Sequence, residues 1–443
     1  MREKKWSRTR FKQEFKRGLG SSFMELQRTS NREQYKDIVL WACLHNTCYD
    51  MQSEGGRSEF LYQAIKLYED SAYFESEIIH TFMKSPKDSS AFDQICELVY
   101  SFAADGSIQA KKAMYEKYDS LLETCSRYSA SFQEDNLEVL CICLTSLDGF
   151  TAFEKIVAEL GEKIHTKQAS LQFSWFYCNA ESKFGKQRVV TYLEKHAEQQ
   201  DNIKAFFDVV TSSYFIARST DSTVSVTLQD VLNAARIGFA RGISLRFAKI
   251  ASDADLITLA NVAVQETDPR IQLELLWTFR KVPFPLHPDW IFQLAEHKQV
   301  DLREIAFTMM QHLPIEQVRD YALNVLHQQK EAANVLELLC SCYRPGDEPM
   351  LYKGIKSLSI SYATGEWHSV FMSAKKLLNN RSNQMTSQLF MYMYRTTLCS
   401  HCRYDLVRKM YDQNMLTDHI LQQCLYDSHE DTRAFARRKL QNI

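Results

Sequence analysis

The chain has 443 residues, with 53 Lys and Arg against 55 Asp and Glu for a net charge of −2, and it is 45% hydrophobic, 24% charged and 12% aromatic. That balance supports a large packed core and excludes a disordered chain, while near neutrality argues against general attraction to nucleic acid or to an anionic membrane. Twelve cysteines without framework spacing indicate thiols in a reducing compartment, and no apolar run approaches the roughly 18 residues that cross a bilayer, so a soluble cytoplasmic protein without membrane attachment is expected.

Residues 8–28 read as one amphipathic helix, with Phe11, Phe15, Leu19, Phe23 and Leu26 on one side and a bend at Gly18 and Gly20. Residues 1–20 carry eight Lys or Arg against two Glu, and residues 50–135 carry sixteen acids against eight bases. Solvated faces account for both, and docking of a partner at one end is the sharper alternative. Ser30 or Asn31 is placed to cap the next helix, whose Tyr35, Ile38, Val39, Trp41, Ala42 and Leu44 form a wide apolar surface. Helical patterns resume at about 58–68, 73–84, 88–104 and 107–127. They continue with weaker periodicity from 136 to 217, and no proline falls between Pro86 and Pro269. Thr223 to Thr227 is β-branched without a partner strand, which reads as a loop and places an internal boundary within 215–228. Three regions follow: an N-terminal helical region at 1–135, a helical-repeat section at 136–220 and a repeat array at 221–443.

A phrase recurs in the last region: Asp268-Pro269-Arg270, Asp301-Leu302-Arg303 and Asp431-Thr432-Arg433, with the first two arginines 33 residues apart. Asp268 suits an N-cap with Pro269 at the first helical position, and Asp301 with Glu304 has the form of a capping box. Inward stripes follow at helical spacing: Leu273, Leu276 and Phe279; Ile305, Ala306, Met309 and Leu313; Phe435, Ala436 and Leu440. One helix cannot bury such a stripe alone, so neighbours must stack. These three units resemble HEAT and HEAT-like repeats, in which the second helix of each pair opens with an Asp and an Arg two residues later. The resemblance covers about a third of the chain, and the units near 333–342, 363–378 and 401–412 keep the length without the phrase. It implies an all-α fold, an α-solenoid of stacked antiparallel helix pairs with a concave binding surface, and no particular ligand.

The densest polar stretch runs from His45 to Arg57 and gathers an imidazole, a phenol, two carboxylates and a guanidinium. If the preceding helix continues through Tyr49, His45 and Tyr49 share a face, and Asp50, Glu54 and Arg57 approach from the turn as a binding site or an acid–base constellation. The plainer reading is an inter-repeat turn in which Gly55 and Gly56 supply positive φ and Asp50 or Ser53 caps the next helix. Cys399 and Cys402 have the spacing of a zinc half-site, but further ligands are distant and both suit a helix interior, so no metal is expected. Cys141 and Cys143 lie in an apolar run and read as core. No Walker loop, dinucleotide fingerprint, HExxH or nucleophile elbow occurs, and no cofactor is expected.

Trp277, Phe279 and Arg280, with Arg236, Arg241, Arg246, Arg270 and Lys281, raise the alternative of a nucleic-acid-binding groove of the DNA-repair glycosylase kind, which would need many phosphate-facing cations on successive repeats. Interleaved acids count against it. The reading is a non-catalytic scaffold or adaptor whose partner is another protein, with His45, Tyr49, Asp50, Glu54 and Arg57 as binding candidates. Nucleic-acid binding is the first alternative, and an enzyme centred on residues 45–57 the second.

Overall fold

The computed structural model describes residues 6–50, 54, 56–84, 91–124, 131–166, 173–216, 226–238, 240–313, 315–328, 332–342, 344, 346–358, 365–377 and 384–441, and every regular element among them is helical. None of these helices is long and apolar enough to cross a membrane. The chain divides into two compact units: Met1–Ser222, Leu398–Tyr404 and Leu416–Ile443 form the first, and Thr223–Thr397 with Asp405–Met415 the second.

The first unit opens with α1 (Arg8–Lys16), α2 (Gly20–Arg28), a 3-10 turn (Arg32–Tyr35) and α3 (Lys36–Leu44). It continues through α4 (Ser58–Ile65), α5 (Ser71–Lys84), α6 (Phe92–Ala104), α7 (Ile108–Thr124) and α8 (Ser131–Asp148). Then come α9 (Phe150–His165), α10 (Ser174–Phe184), α11 (Lys186–Ala197) and α12 (Asp201–Ile216). The second unit holds α13 (Leu228–Arg236), α14 (Arg241–Phe247), α15 (Asp253–Gln265), α16 (Pro269–Leu276), a 3-10 turn (Trp277–Arg280), α17 (Asp289–Ala295) and α18 (Val300–Met310). It goes on with α19 (Ile315–His327), α20 (Ala332–Cys342), α21 (Glu348–Ser357), α22 (Gly365–Leu377) and α23 (Gln384–Thr396). After α24 (Ser400–Asp412), α25 (Asp418–Cys424) and α26 (Glu430–Gln441) return to the first unit.

Residues 8–28 form two helices, not one bent helix. Gly18 takes φ +70°, the Gly18 N–H donates to Phe15 O (2.9 Å) and the Leu19 N–H to Glu14 O (3.1 Å), a left-handed C-terminal cap that terminates α1. Phe11 and Phe15 of α1 are buried, and Phe11 stacks on Tyr35 at 3.9 Å between ring centroids. Neither Ser30 nor Asn31 caps with its side chain; Asn31 precedes the 3-10 turn, and α3 follows it directly.

Within each unit, alternate helices pack on one another: α4 on α6, α6 on α8, α8 on α10 and α10 on α12 in the first, α14 on α16, α16 on α18, α18 on α20 and α20 on α22 in the second. The sequence dictates this arrangement. In α6, Phe92, Ile95, Cys96, Val99, Phe102 and Ala103 recur at helical spacing and are all buried, each large side chain contributing about 1.5–3 kcal/mol that a lone helix would forfeit.

The recurrent arginine has a physical role. Arg303 Nη1 donates to His297 O (3.0 Å) and Lys298 O (3.1 Å), and Arg433 Nη1 to Asp427 O and Ser428 O (both 2.9 Å), in each case the carbonyls six and five residues upstream. Arg32, outside the phrase, makes the same pair of bonds to Leu26 O (2.6 Å) and Gln27 O (3.1 Å). Each arginine therefore ties the turn after one helix to the first turn of the next, satisfying carbonyls that a helix end leaves open. Arg270 departs from the pattern: its guanidinium folds onto Asp268 at 2.9 Å, and Gln272 takes Ala263 O (2.9 Å) and Glu266 O (3.3 Å).

The aspartates divide as well. Asp268 is the N-cap of α16, accepting from the Arg270 N–H at 2.9 Å, with Pro269 following it. Asp301 forms no capping box, because α18 begins one residue earlier, at Val300, with Gln299 as N-cap, and Asp301 lies inside the first turn. Asp431 likewise sits in the first turn of α26. There both carboxylates meet the positive end of the helix dipole. Of the β-branched run, Thr223 to Ser225 lie outside the described residues; Thr227 caps α13 through a capping box with Asp230.

Candidate functional site

The stretch from His45 to Arg57 divides where α3 stops. Leu44 is the last helical residue and His45 is extended (φ −131°, ψ 128°), so His45 and Tyr49 do not share a helix face as the continued helix would require. Residues 51–53 and Gly55 lie outside the described residues, Ser53 among them. Gly56 does not adopt positive φ; its lack of a side chain instead makes room for Glu97, whose Oε2 would stand 2.6 Å from a Cβ there.

Glu54 organises what remains. Its Oε1 accepts the backbone N–H groups of Tyr49 (2.8 Å) and Asp50 (2.9 Å), and its Oε2 accepts the N–H (2.7 Å) and hydroxyl (2.8 Å) of Ser400. Each oxygen thus holds two donors, all four strengthened by the carboxylate charge. Arg57, 3.9 Å from Glu54 and as deeply buried, donates to Thr47 Oγ1 (2.9 Å), Leu398 O (2.7 Å) and Lys16 O. The acid and base read from the sequence therefore bind the end of α1, the turn after α3 and residues 398–400 into one piece of the first unit.

A second buried pair continues the network. Arg403 and Asp427, both fully buried, join through Nε–Oδ2 (2.7 Å) and Nη2–Oδ1 (2.9 Å) contacts, and Arg403 also reaches Gly18 O at 3.4 Å. Asp427 Oδ1 accepts the His429 N–H (2.9 Å), and Gly18 O accepts the Ser428 N–H (2.9 Å). Arg433 pairs with Glu59. Gly20 seats α2 against α25: a Cβ at that position would lie 1.8 Å from Gln423 O.

Beside this network lies an open cleft of about 650 Å³, with Glu59, Glu97, Tyr62, Tyr100, Asp431 and Arg433 among its walls. Burial pushes the Glu97 carboxyl up, opposed by the Ser58 hydroxyl that donates to it at 2.5 Å. Burial likewise lowers His429 and raises the Tyr49 phenol. The cleft walls carry more carboxylates than cations.

Of the five residues read from the sequence, Glu54 and Arg57 meet directly, and Tyr49 and Asp50 join them through their backbones. His45 does not. Its Nδ1 lies 2.8 Å from Trp41 O and its exposed ring stacks on the Trp41 indole at 4.8 Å. Sequence reasoning missed Ser400, Arg403 and Asp427, which lie some 350 residues from Glu54 in the chain and show no local signal. Arg433 was visible as part of the repeated phrase. Cys399 and Cys402 are both buried, and the Cys402 N–H donates to Cys399 Sγ at 3.3 Å, placing that sulfur at the start of α24. Cys141 and Cys143 are in the core.

In the second unit, Trp277 lies under two guanidinium groups, Arg241 at 4.6 Å and Arg280 at 4.4 Å from the ring centroid, while Phe279 is fully buried. Arg241 is held by Glu274 at 3.0 Å.

No protein-family model matches the chain, and no curated protein matches it significantly. Among solved structures, the crystal structure of an engineered protein from the Northeast Structural Genomics Consortium aligns over 96% of this chain and 98% of that one, at 15% identity and a TM-score of 0.22. A superposition that loose carries no argument.

Proposed function

We propose that this chain is a HEAT-like α-solenoid that works as a non-catalytic scaffold or adaptor, binding another protein through its helical surface. The observation that carries the reading is the state of Glu54 and Arg57. Both carboxylate oxygens already hold two donors each, and the guanidinium holds Thr47 and two backbone carbonyls. Groups so engaged brace a structure; a general acid or base must instead reach a proton on a substrate. Alternate-helix packing and the recurrent arginine tie support stacked helix pairs, an architecture that presents large surfaces on which a few aromatic or Arg anchors carry most of the affinity.

The nucleic-acid alternative is weaker on two counts. Arg241 and Arg270 are neutralised by Glu274 and Asp268, and Trp277 already carries two guanidinium groups over its ring. The test is affinity purification of the tagged chain from its own host, with and without nuclease, followed by mass spectrometry. A defined protein partner that survives nuclease is expected. Recovery of nucleic acid, or of partners lost on nuclease treatment, overturns the reading.

A further inference from the structure

The cations of α1 are not equivalent once folded. Arg8 pairs with Asp37 at 2.6 Å, and Arg10 pairs with Glu14 at 2.8 Å while lying over Trp6. Lys12 is different: it is exposed, and its Nζ stands 4.8 Å from the centroid of the Trp41 ring. Among the described residues no carboxylate pairs with Lys12 or with Lys16 one turn further on.

Arg8, Lys12 and Lys16 recur every four residues along one side of α1, and Asp37 and Trp41 lie four apart on α3, against which α1 packs, with His45 following the end of α3 in extended backbone. The Arg8–Asp37 and Lys12–Trp41 contacts fix the register of α1 on α3, and Lys16 lies one turn beyond Lys12 on the same side of α1. The indole carries Lys12 and the imidazole of His45 against its ring, a cation-topped aromatic surface.

We propose that Lys12, Lys16, Trp41 and His45 form a docking ledge for an acidic, Asp- or Glu-rich segment of the partner protein, an inference that rests on the protein-binding reading above. Charge complementarity selects this occupant. A duplex groove needs about 6–10 phosphate contacts, and the ledge offers two uncompensated ammonium groups on a chain of net charge −2. A membrane surface would require an apolar helix face to insert, but Phe11 and Phe15 of α1 are already buried in the core.

The test uses the full chain and fluorescence anisotropy, with a labelled Glu-rich peptide, a labelled single-stranded oligonucleotide of equal charge, and vesicles containing phosphatidylserine as probes. The peptide should bind with salt-sensitive affinity, and Lys12→Glu with Lys16→Glu should weaken it by about tenfold, the loss expected of two screened charge contacts. Lys12→Gln with Lys16→Gln, which introduces no repulsion, should weaken it less but measurably, with an unchanged circular dichroism spectrum. Peptide affinity unaffected by either pair, or preference for the oligonucleotide or the vesicles, overturns the ledge. A nuclease-resistant partner recovered at undiminished yield with the charge-reversed chain also overturns the ledge and leaves the scaffold reading standing.

Discussion

Replacing Arg403 by Met tests the buried network at its deepest point. The pair with Asp427 is fully buried on both sides, with contacts of 2.7 and 2.9 Å. Met occupies much of the volume of the Arg stem but leaves Asp427 to the His429 N–H, which donates to it at 2.9 Å. An uncompensated buried charge costs about 3–5 kcal/mol. For a unit of this size, at roughly 2 °C per kcal/mol, the transition of the first unit should fall by about 6–10 °C. Asp427→Asn, which retains an oxygen for His429, strands the guanidinium instead and should cost a similar amount. The double variant carries neither charge, so its cost should be about 2–3 kcal/mol smaller than the sum of the single costs. Scanning calorimetry of the three variants reads this directly. Single variants that melt within about 1 °C of the wild type, or costs that simply add, would refute the reasoning.

Three further outcomes follow from the same geometry. Gly20→Ala places a methyl group 1.8 Å from Gln423 O, and thermal melting should show one of the largest losses of any single-methyl addition, whereas tolerance would mean α2 and α25 are not in contact. Arg303→Ala removes two charge-assisted bonds to turn carbonyls and should cost about 1–2 kcal/mol in chemical denaturation, while Arg270→Ala, whose side chain is exposed on Asp268, should leave the midpoint unchanged; equal effects would dismiss the arginine tie. Asp93 is pushed up to about 6 by burial and by the neighbouring Glu97 and Asp135 carboxylates. The folded chain therefore holds that proton more tightly than the unfolded one, and stability falls as pH rises from about 4 through 6. Discounted for partial exposure, Asp93→Asn should gain about 1–2 kcal/mol at pH 7 and nothing at pH 4, and a gain independent of pH would exclude this cause.

Helix content was legible because apolar spacing is local: Phe92, Ile95, Val99 and Phe102 announce α6 from the sequence, and all are buried. Asp268 and Pro269 were legible for the same reason, since a cap is decided within four residues. Asp301 was not, because an aspartate one position inside a helix and one at its cap look alike in sequence. The break at Gly18 depended on a left-handed glycine and on Ser428, more than 400 residues away, which bonds its carbonyl. Glu54 and Arg57 stood out as polar residues beside an apolar helix, but their partners Ser400 and Leu398 are invisible to any local pattern. His45, grouped with them by proximity in the chain, turns instead to Trp41 once α3 ends at Leu44.

The most direct test of this junction is hydrogen exchange read by mass spectrometry on the wild type and Glu54→Ala. Glu54 joins residues 49–50 to Ser400, so the variant, which removes both carboxylate oxygens and leaves all four donors without them, should speed exchange in peptides covering 47–57 and 398–404 together. Faster exchange confined to 47–57, with 398–404 unchanged, would contradict it.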